Sequence, residues 1–237
     1  EPVCPSAVPF GALMEGTRSA LATTTRYQPW WRRVGYRLLG HHRLLLVGSS
    51  LLAVAQRLHL LPVAPDPRGT SSRGRCRLPV LPRLAVRRAP LPATGDDVWL
   101  FTGCVMDAWQ RPVHAATMRV LGAAGAGVRP TGGAAGCCGA LATHAGLTDL
   151  ARGQAERVMA AIPGDAPVLV NSAGCGAQLK DYGHLLGTPE AVAFSARVLD
   201  VHEWLAGRLD ALPAPASAPS TLRVAVQDPC HLRHVQQ

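Results

Sequence analysis

Apolar and polar positions change their rhythm along this chain. From residue 98 onward, short apolar runs of strand length alternate with longer stretches at helical spacing. "VWLFTGC" (98–104), "APVLVNSAGC" (166–175) and "LRVAVQDPC" (222–230) each read as a buried strand that ends at a cysteine. Between the first two, 108–127 predicts a helix with Val113, Met118, Val120 and Leu121 as its apolar positions. "GVRPTGG" predicts a short strand or turn, and 146–162 an amphipathic helix that Thr148 or Asp149 is placed to cap. Residues 189–212 predict one long helix, with Pro189 in its first turn. Strands alternating with helices predict an α/β fold built on a parallel sheet.

The first 97 residues have no such alternation. Residues 28–61 predict one or two helices. The most apolar stretch, "LLLVGSSLLAVAQRLHLLPV" (44–63), is broken by Gln56, Arg57 and His59, so it falls short of a transmembrane span and predicts a buried helix. Residues 62–97 are rich in Pro, Arg and Gly and predict a connector, with Cys76 incidental within it. A second linker, "PAPASAPST", covers 213–221.

Charge follows the same division. The net charge is +9, and all of it belongs to residues 1–97, which hold fourteen Arg against five acids. Such a surface suits an acidic subunit or an anionic membrane. Nucleic acid is not an expected partner: aromatic residues make up 5% of the chain and no zinc-finger or helix-turn-helix spacing occurs. His41 and His42 are expected to be solvated, and Lys180 and Tyr182 to lie on a helix surface. No dinucleotide fingerprint opens a helix, since "GAAGAG" (122–127) stands at a helix C-terminus, and no Gly-x-Ser-x-Gly elbow occurs.

The chemistry therefore rests on the cysteines. There are seven, at 4, 76, 104, 137, 138, 175 and 230. An odd count without an opening secretory signal points to metal or redox work in the cytoplasm and away from a disulfide scaffold. Cys104 is followed by thirty-two residues, the run Cys137-Cys138-Gly139, thirty-five residues and Cys175. Ligands in open α/β sheets sit beyond the carboxyl ends of the strands, where Cys104 and Cys175 are delivered. A tight turn at Gly139 lets both neighbouring sulfurs face one centre. Four thiolates suit zinc or iron–sulfur, and the absence of Cys-x2-4-Cys knuckles favours the latter. Zinc in a non-redox binding module remains the alternative. His144 and His231 stand near cysteines as candidate hydrogen-bond partners of a cluster. Cys4-Pro5 has the form of the end of a bacterial ferredoxin motif.

The runs "CPSAVPFGALMEGTR", "LFTGCVM", "GCCGALATHAG", "NSAGCGAQLKDYGHLL", "FSARVLDVHEWL" and "DPCHLRHVQ" resemble the iron–sulfur subunits of bacterial glycolate oxidase. More broadly they resemble the cysteine-rich CCG family, which includes the cysteine-rich subunit of heterodisulfide reductase and the iron–sulfur subunits of lactate and anaerobic glycerol-3-phosphate dehydrogenases. The resemblance implies [4Fe–4S] clusters held by Cys4, Cys104, Cys137, Cys138, Cys175 and Cys230. It implies electron transfer from a flavin on partner subunits to a quinone or membrane acceptor, in the cytoplasm or on the inner face of the cell membrane. In the broader family the last motif ends in Cys-x2-Cys; here Ser172 stands at its first position, as in the glycolate-type subunits.

The implied layout is the end of a ferredoxin-type helical domain (1–27), a helical then Pro/Arg-rich connector (28–97), and a first parallel-sheet CCG domain (98–212). A linker (213–222) and the start of a second CCG domain (223–237) follow. With Glu1 at its head and "DPCHLRHVQQ" at its end, the chain is expected to be a piece of a longer protein.

Overall fold

The computed structural model describes residues 8–24, 28–60 and 90–214, with the separate positions 223, 225–227, 229 and 232. Cys4, Cys76, Cys230 and His231 lie outside the described residues. Three helices come first: α1 (Phe10–Thr24), α2 (Trp30–Leu39) and α3 (His42–Arg57). From residue 98 the order is β1 (Val98–Phe101), α4 (Val105–Trp109), α5 (Arg111–Ala123), β2 (Val128–Pro130), a 3-10 turn at Gly132–Ala134, α6 (Ala140–His144) and α7 (Thr148–Ala161). Then come β3 (Val168–Val170), α8 (Ala173–Lys180), α9 (Tyr182–Leu186), α10 (Pro189–Ala196), β4 (Val198–Asp200) and α11 (Val201–Ala206).

The four strands form one parallel sheet in the order β2-β1-β3-β4. Alternate side chains of the strands point to opposite faces, as the two-residue side-chain period requires. Phe101, Val168, Val170 and Val198 join Val158, Ile162, Leu179, Tyr182 and Phe194 in a core beneath α7–α10. Val98, Leu100, Val128 and Leu169 join Met118, Leu121 and Trp204 in a second core against α5 and α11. A sheet covered on both sides explains why its strands read as unbroken apolar runs.

Three expectations are corrected. Residues 189–212 do not form one helix; β4 interrupts them. The edge of β3 would otherwise leave buried backbone groups unpaired, and β4 meets that need: Val168 pairs with Val198, and the Val168 N–H donates to the Arg197 carbonyl at 2.9 Å. In the stretch 222–230, the described positions 223, 225–227 and 229 carry no strand and are exposed. Helix α7 takes no side-chain cap; the Thr148 hydroxyl instead shares a 2.9 Å hydrogen bond with Ser19.

The helix expected to be buried near 44–63 is also corrected. Leu44, Val47, Leu51 and Val54 of α3 are exposed, and its buried residues are Ser49, Ala53 and Gln56. The polar side faces inward because it has partners there. Trp109 Nε1 donates to Ser49 Oγ at 3.0 Å, and His42 Nε2 lies 3.1 Å from Asp107. His42 is thus not solvated, whereas His41 is exposed.

Helix α11 starts directly from β4 through a capping box. Asp200 accepts from the His202 N–H at 2.8 Å, and Glu203 accepts from the Asp200 N–H at 3.1 Å. Asp200→Ala removes this cap and is expected to lower stability by about 1 kcal/mol, read as a lower thermal midpoint by circular dichroism.

Candidate metal centre

Sequential strands run outward from β1 in opposite directions, to β2 on one side and to β3 and β4 on the other. The crevice between the carboxyl ends of β1 and β3 is therefore the topological switch point of the sheet, where open α/β folds place ligands. The cysteines converge on it. Cys104 follows β1 by three residues and begins α4. Cys175 lies in the first turn of α8, just after β3. Gly103, at φ 65°, turns the chain between Phe101 and Cys104, and a methyl added there would lie 4.0 Å from Cys175 Sγ. The ends of the two strands are therefore in close reach of each other.

Cys137 and Cys138 arrive from the loop after β2. Gly139 takes φ 93°, a left-handed conformation that strains any other residue, and it begins α6. This is the turn expected from the sequence. A second brace comes from Tyr182, whose hydroxyl donates to the Cys138 carbonyl at 2.8 Å. Tyr182 is fully buried and stacks on Phe194 at 5.7 Å, so it is a core residue and not the surface residue expected. Lys180 reaches Glu203 at 2.8 Å.

The four thiols are free and linked in a chain of side-chain hydrogen bonds. Cys104 donates to Cys137, and this hydrogen bond, with burial, pushes the Cys104 thiol far up. Cys138 is likewise pushed up by its bonds to Cys137 and Cys175 and by burial. Cys137 receives from Cys104 and Cys138 and is held well below the ordinary thiol range. Cys175 is lowered by Cys138 first, against the effect of burial, and then by Ser172. Ser172 thus addresses a cysteine sulfur and does not cap α8 with its side chain.

The donor set is all sulfur, which selects thiophilic metals. Among the described residues, no three His, Cys, Asp or Glu side chains surround one point as the ligands of a single ion do. The four cysteines nonetheless perturb one another across the crevice. Four thiols together suit an iron–sulfur cluster or a zinc ion.

Polar residues that the sequence reading did not single out brace the loops. Asp107, 2% exposed, meets His42 at 3.1 Å and Arg111 at 2.9 Å. Burial alone would raise its carboxyl, but His42 and Arg111 outweigh this and lower it. His114, fully buried and lowered by that burial, accepts from Asn171 Nδ2 at 3.1 Å, which ties α5 to the loop after β3. Across β1 and β2, the Thr102 N–H donates to Thr131 at 3.0 Å. A charged residue inside "VMDAW" and an amide directly after "VLV" were the available signals. His144, by contrast, turns its Nδ1 to Glu15 on α1 at 3.0 Å.

Cys175 is the most exposed of the four cysteine residues as a whole. Beside it a cleft of about 600 Å³ opens between α1 and α8, with Glu15, His144, Gly174, Gln178, Asp181 and His184 among its walls. The Gln178 Nε2 is buried there without a hydrogen-bond partner.

Two outcomes follow for the reduced, metal-free chain. Cys104 and Cys138 stay protonated in the fold but ionise near pH 8.5 when unfolded. Their contribution is complete below that pH and lost as pH rises above it, so urea midpoints are expected to fall between about pH 8 and 10. The depressed Cys137 and Cys175 act the other way, and their contribution is lost only on acidification. Separately, Tyr182→Phe strands the buried Cys138 carbonyl and is expected to cost about 1–3 kcal/mol in the same assay.

Comparison with known proteins places the cysteine-rich part of the chain among described relatives. Residues 98–180 match the CCG cysteine-rich domain. A probable glycolate oxidase iron–sulfur subunit of Bacillus subtilis is 31% identical over 259 residues, covering 99% of this chain and 58% of the relative. The glycolate oxidase iron–sulfur subunit of Escherichia coli is 30% identical over 168 residues, 66% of this chain and 40% of the relative. A subunit of the fumarate reductase (CoM/CoB) of Methanothermobacter marburgensis is 34% identical over 139 residues, 58% of this chain and 26% of the relative. The chain thus spans little more than half the length of the Bacillus relative, and less of the other two. No solved structure shows significant similarity to it.

Proposed function

We propose that this chain, whose residues 98–180 match the CCG cysteine-rich domain and whose length is nearly all similar to a probable glycolate oxidase iron–sulfur subunit, is an iron–sulfur electron-transfer subunit of a flavin-dependent 2-hydroxy-acid dehydrogenase, with glycolate as the substrate. The observation that carries this reading is the convergence of four free thiols on the switch point between β1 and β3.

Cys104, Cys137, Cys138 and Cys175 would hold the cluster, most simply a [4Fe–4S] centre, since Ser172 replaces a fifth thiol. When bound, such a group supplies one-electron exchange near neutral pH. The chain's own residues prepare the place for it. The Tyr182 hydroxyl fixes the Cys138 backbone, Ser172 offers a hydrogen bond to Cys175, and the Asp107 and His114 networks hold the loops that carry Cys104 and Cys175. Burial and mutual hydrogen bonding raise Cys104 and Cys138 and lower Cys137 and Cys175, and the protons these thiols carry would leave as they ligate.

In this reading the organic oxidation takes place at a flavin on partner subunits. The cleft beside Cys175 is the approach for the acceptor, and the unpartnered Gln178 Nε2 is a donor suited to a carbonyl oxygen of a quinone-type molecule. His144 belongs to the wall of that cleft. Cys4 would serve a ferredoxin-type cluster; Cys230, with His231 beside it, would open a second cysteine-rich unit. The complex would work on the cytoplasmic side, at the inner face of the cell membrane.

Anaerobic reconstitution tests the reading. The chain carrying Cys4→Ser is expected to bind iron and acid-labile sulfide in equal amounts, with visible absorbance that bleaches on reduction. Cys138→Ser is expected to lose both. Zinc bound without sulfide would sink the electron-transfer role for residues 98–212.

A further inference from the structure

Helices α2 and α3 are inside out for a protein surface in water. Trp30, Trp31, Val34 and Leu38 form one side of α2, and all four are exposed, Trp30 by 76% and Trp31 by 57%. On α3 the exposed side carries Leu44, Val47, Leu51 and Val54, with Leu58 just beyond it, while Ser49, Ala53 and Gln56 are buried. The inward polar contacts set this orientation: His42 to Asp107, Trp109 to Ser49, and Arg157 to the Gly40 carbonyl at 3.0 Å. An amphipathic helix normally buries its apolar stripe. These two present theirs, and large apolar side chains exposed along both helices mark a binding surface.

The charge around the patch says what covers it. Residues 28–60 hold Arg32, Arg33, Arg37, Arg43 and Arg57 and no acidic residue. Two copies meeting through this face would set arginine against arginine. Trp, Leu and Val bordered by arginine is instead the composition of a helix that lies in the headgroup layer of an anionic bilayer. Neither helix is long and apolar enough to cross a membrane alone. Taken together they pass that test of length and hydropathy but bend by 107°. Such a pair is suited to lying on the surface.

We propose that the α2–α3 elbow docks this chain on an anionic lipid bilayer, with the apolar stripes in the acyl boundary and the arginines at lipid phosphates. A membrane acceptor, as in the proposed function, would give the docking its purpose. The binding itself needs no cluster, so each idea can fail without the other.

The test is flotation of the full chain with vesicles of phosphatidylcholine containing phosphatidylglycerol, against phosphatidylcholine alone, at low and high salt. Binding is expected to the anionic vesicles and to weaken as salt rises. The double variant Trp31→Glu, Leu51→Glu changes only exposed positions; with an unchanged circular dichroism spectrum it is expected to bind at least about tenfold more weakly. Absence of wild-type flotation, or equal flotation of the double variant, overturns the proposal. So does a concentration-dependent dimer that the double variant abolishes while lipid binding is absent, which would assign the face to a second copy. Iron and sulfide content of the same samples reports separately on the cluster.

Discussion

The parallel pairing of β1 with β3 is the contact on which the rest depends. Trp99 lies opposite Val168 and Phe101 opposite Val170, so both strands end at the same level of the sheet. Because β2 and β3 leave β1 on opposite sides, no crossover covers the crevice above that level. Seventy-one positions of sequence separate Cys104 from Cys175, yet this register brings their loops together. A slip of one residue would turn every strand side chain to the other core, so the two apolar clusters lock the register and hold the cysteine loops in place.

Four sulfurs in one crevice are costly to keep without ordered surroundings, since each thiol or thiolate there is buried among others. The fold answers with rigid polar contacts at the loop bases. Tyr182 grips the Cys138 carbonyl, His114 and Asn171 join α5 to the loop after β3, and Asp107 is held by both His42 and Arg111. His42 belongs to α3, so the helices that precede the sheet contribute directly to the floor of the Cys104 loop. The outward apolar face of α3 and the inward polar bracing are two sides of one helix, and the second determines the first.

Much of the site was legible from the order of residues alone. Strand-length apolar runs ending in Cys104 and Cys175, and the glycine after Cys137-Cys138, were enough to predict a parallel α/β sheet with thiols at its carboxyl end. Those signals are local: continuous apolar runs reflect a sheet covered on both faces, and Gly139 reflects a backbone angle that only glycine adopts freely. Tyr182 was not legible, because a tyrosine at helical spacing looks the same on a surface as in a core. Nor was β4, where the need of β3 for a backbone partner outweighed the local preference of "FSARVLDVHEWL" for helix.

By itself, then, the sequence determined the class of fold, the delivery of Cys104 and Cys175 to strand ends and the turn at Cys137-Cys138, since each depends on neighbours within a few residues. Only the tertiary structure decided the strand order that makes β1 and β3 flank the crevice, the mutual perturbation of the four thiols, and the outward turn of the α3 leucines. Those depend on contacts between residues far apart in the chain. The 3.6-residue period of α3 states that one side is apolar, but His42 on Asp107 and Ser49 under Trp109 decide which side faces the protein.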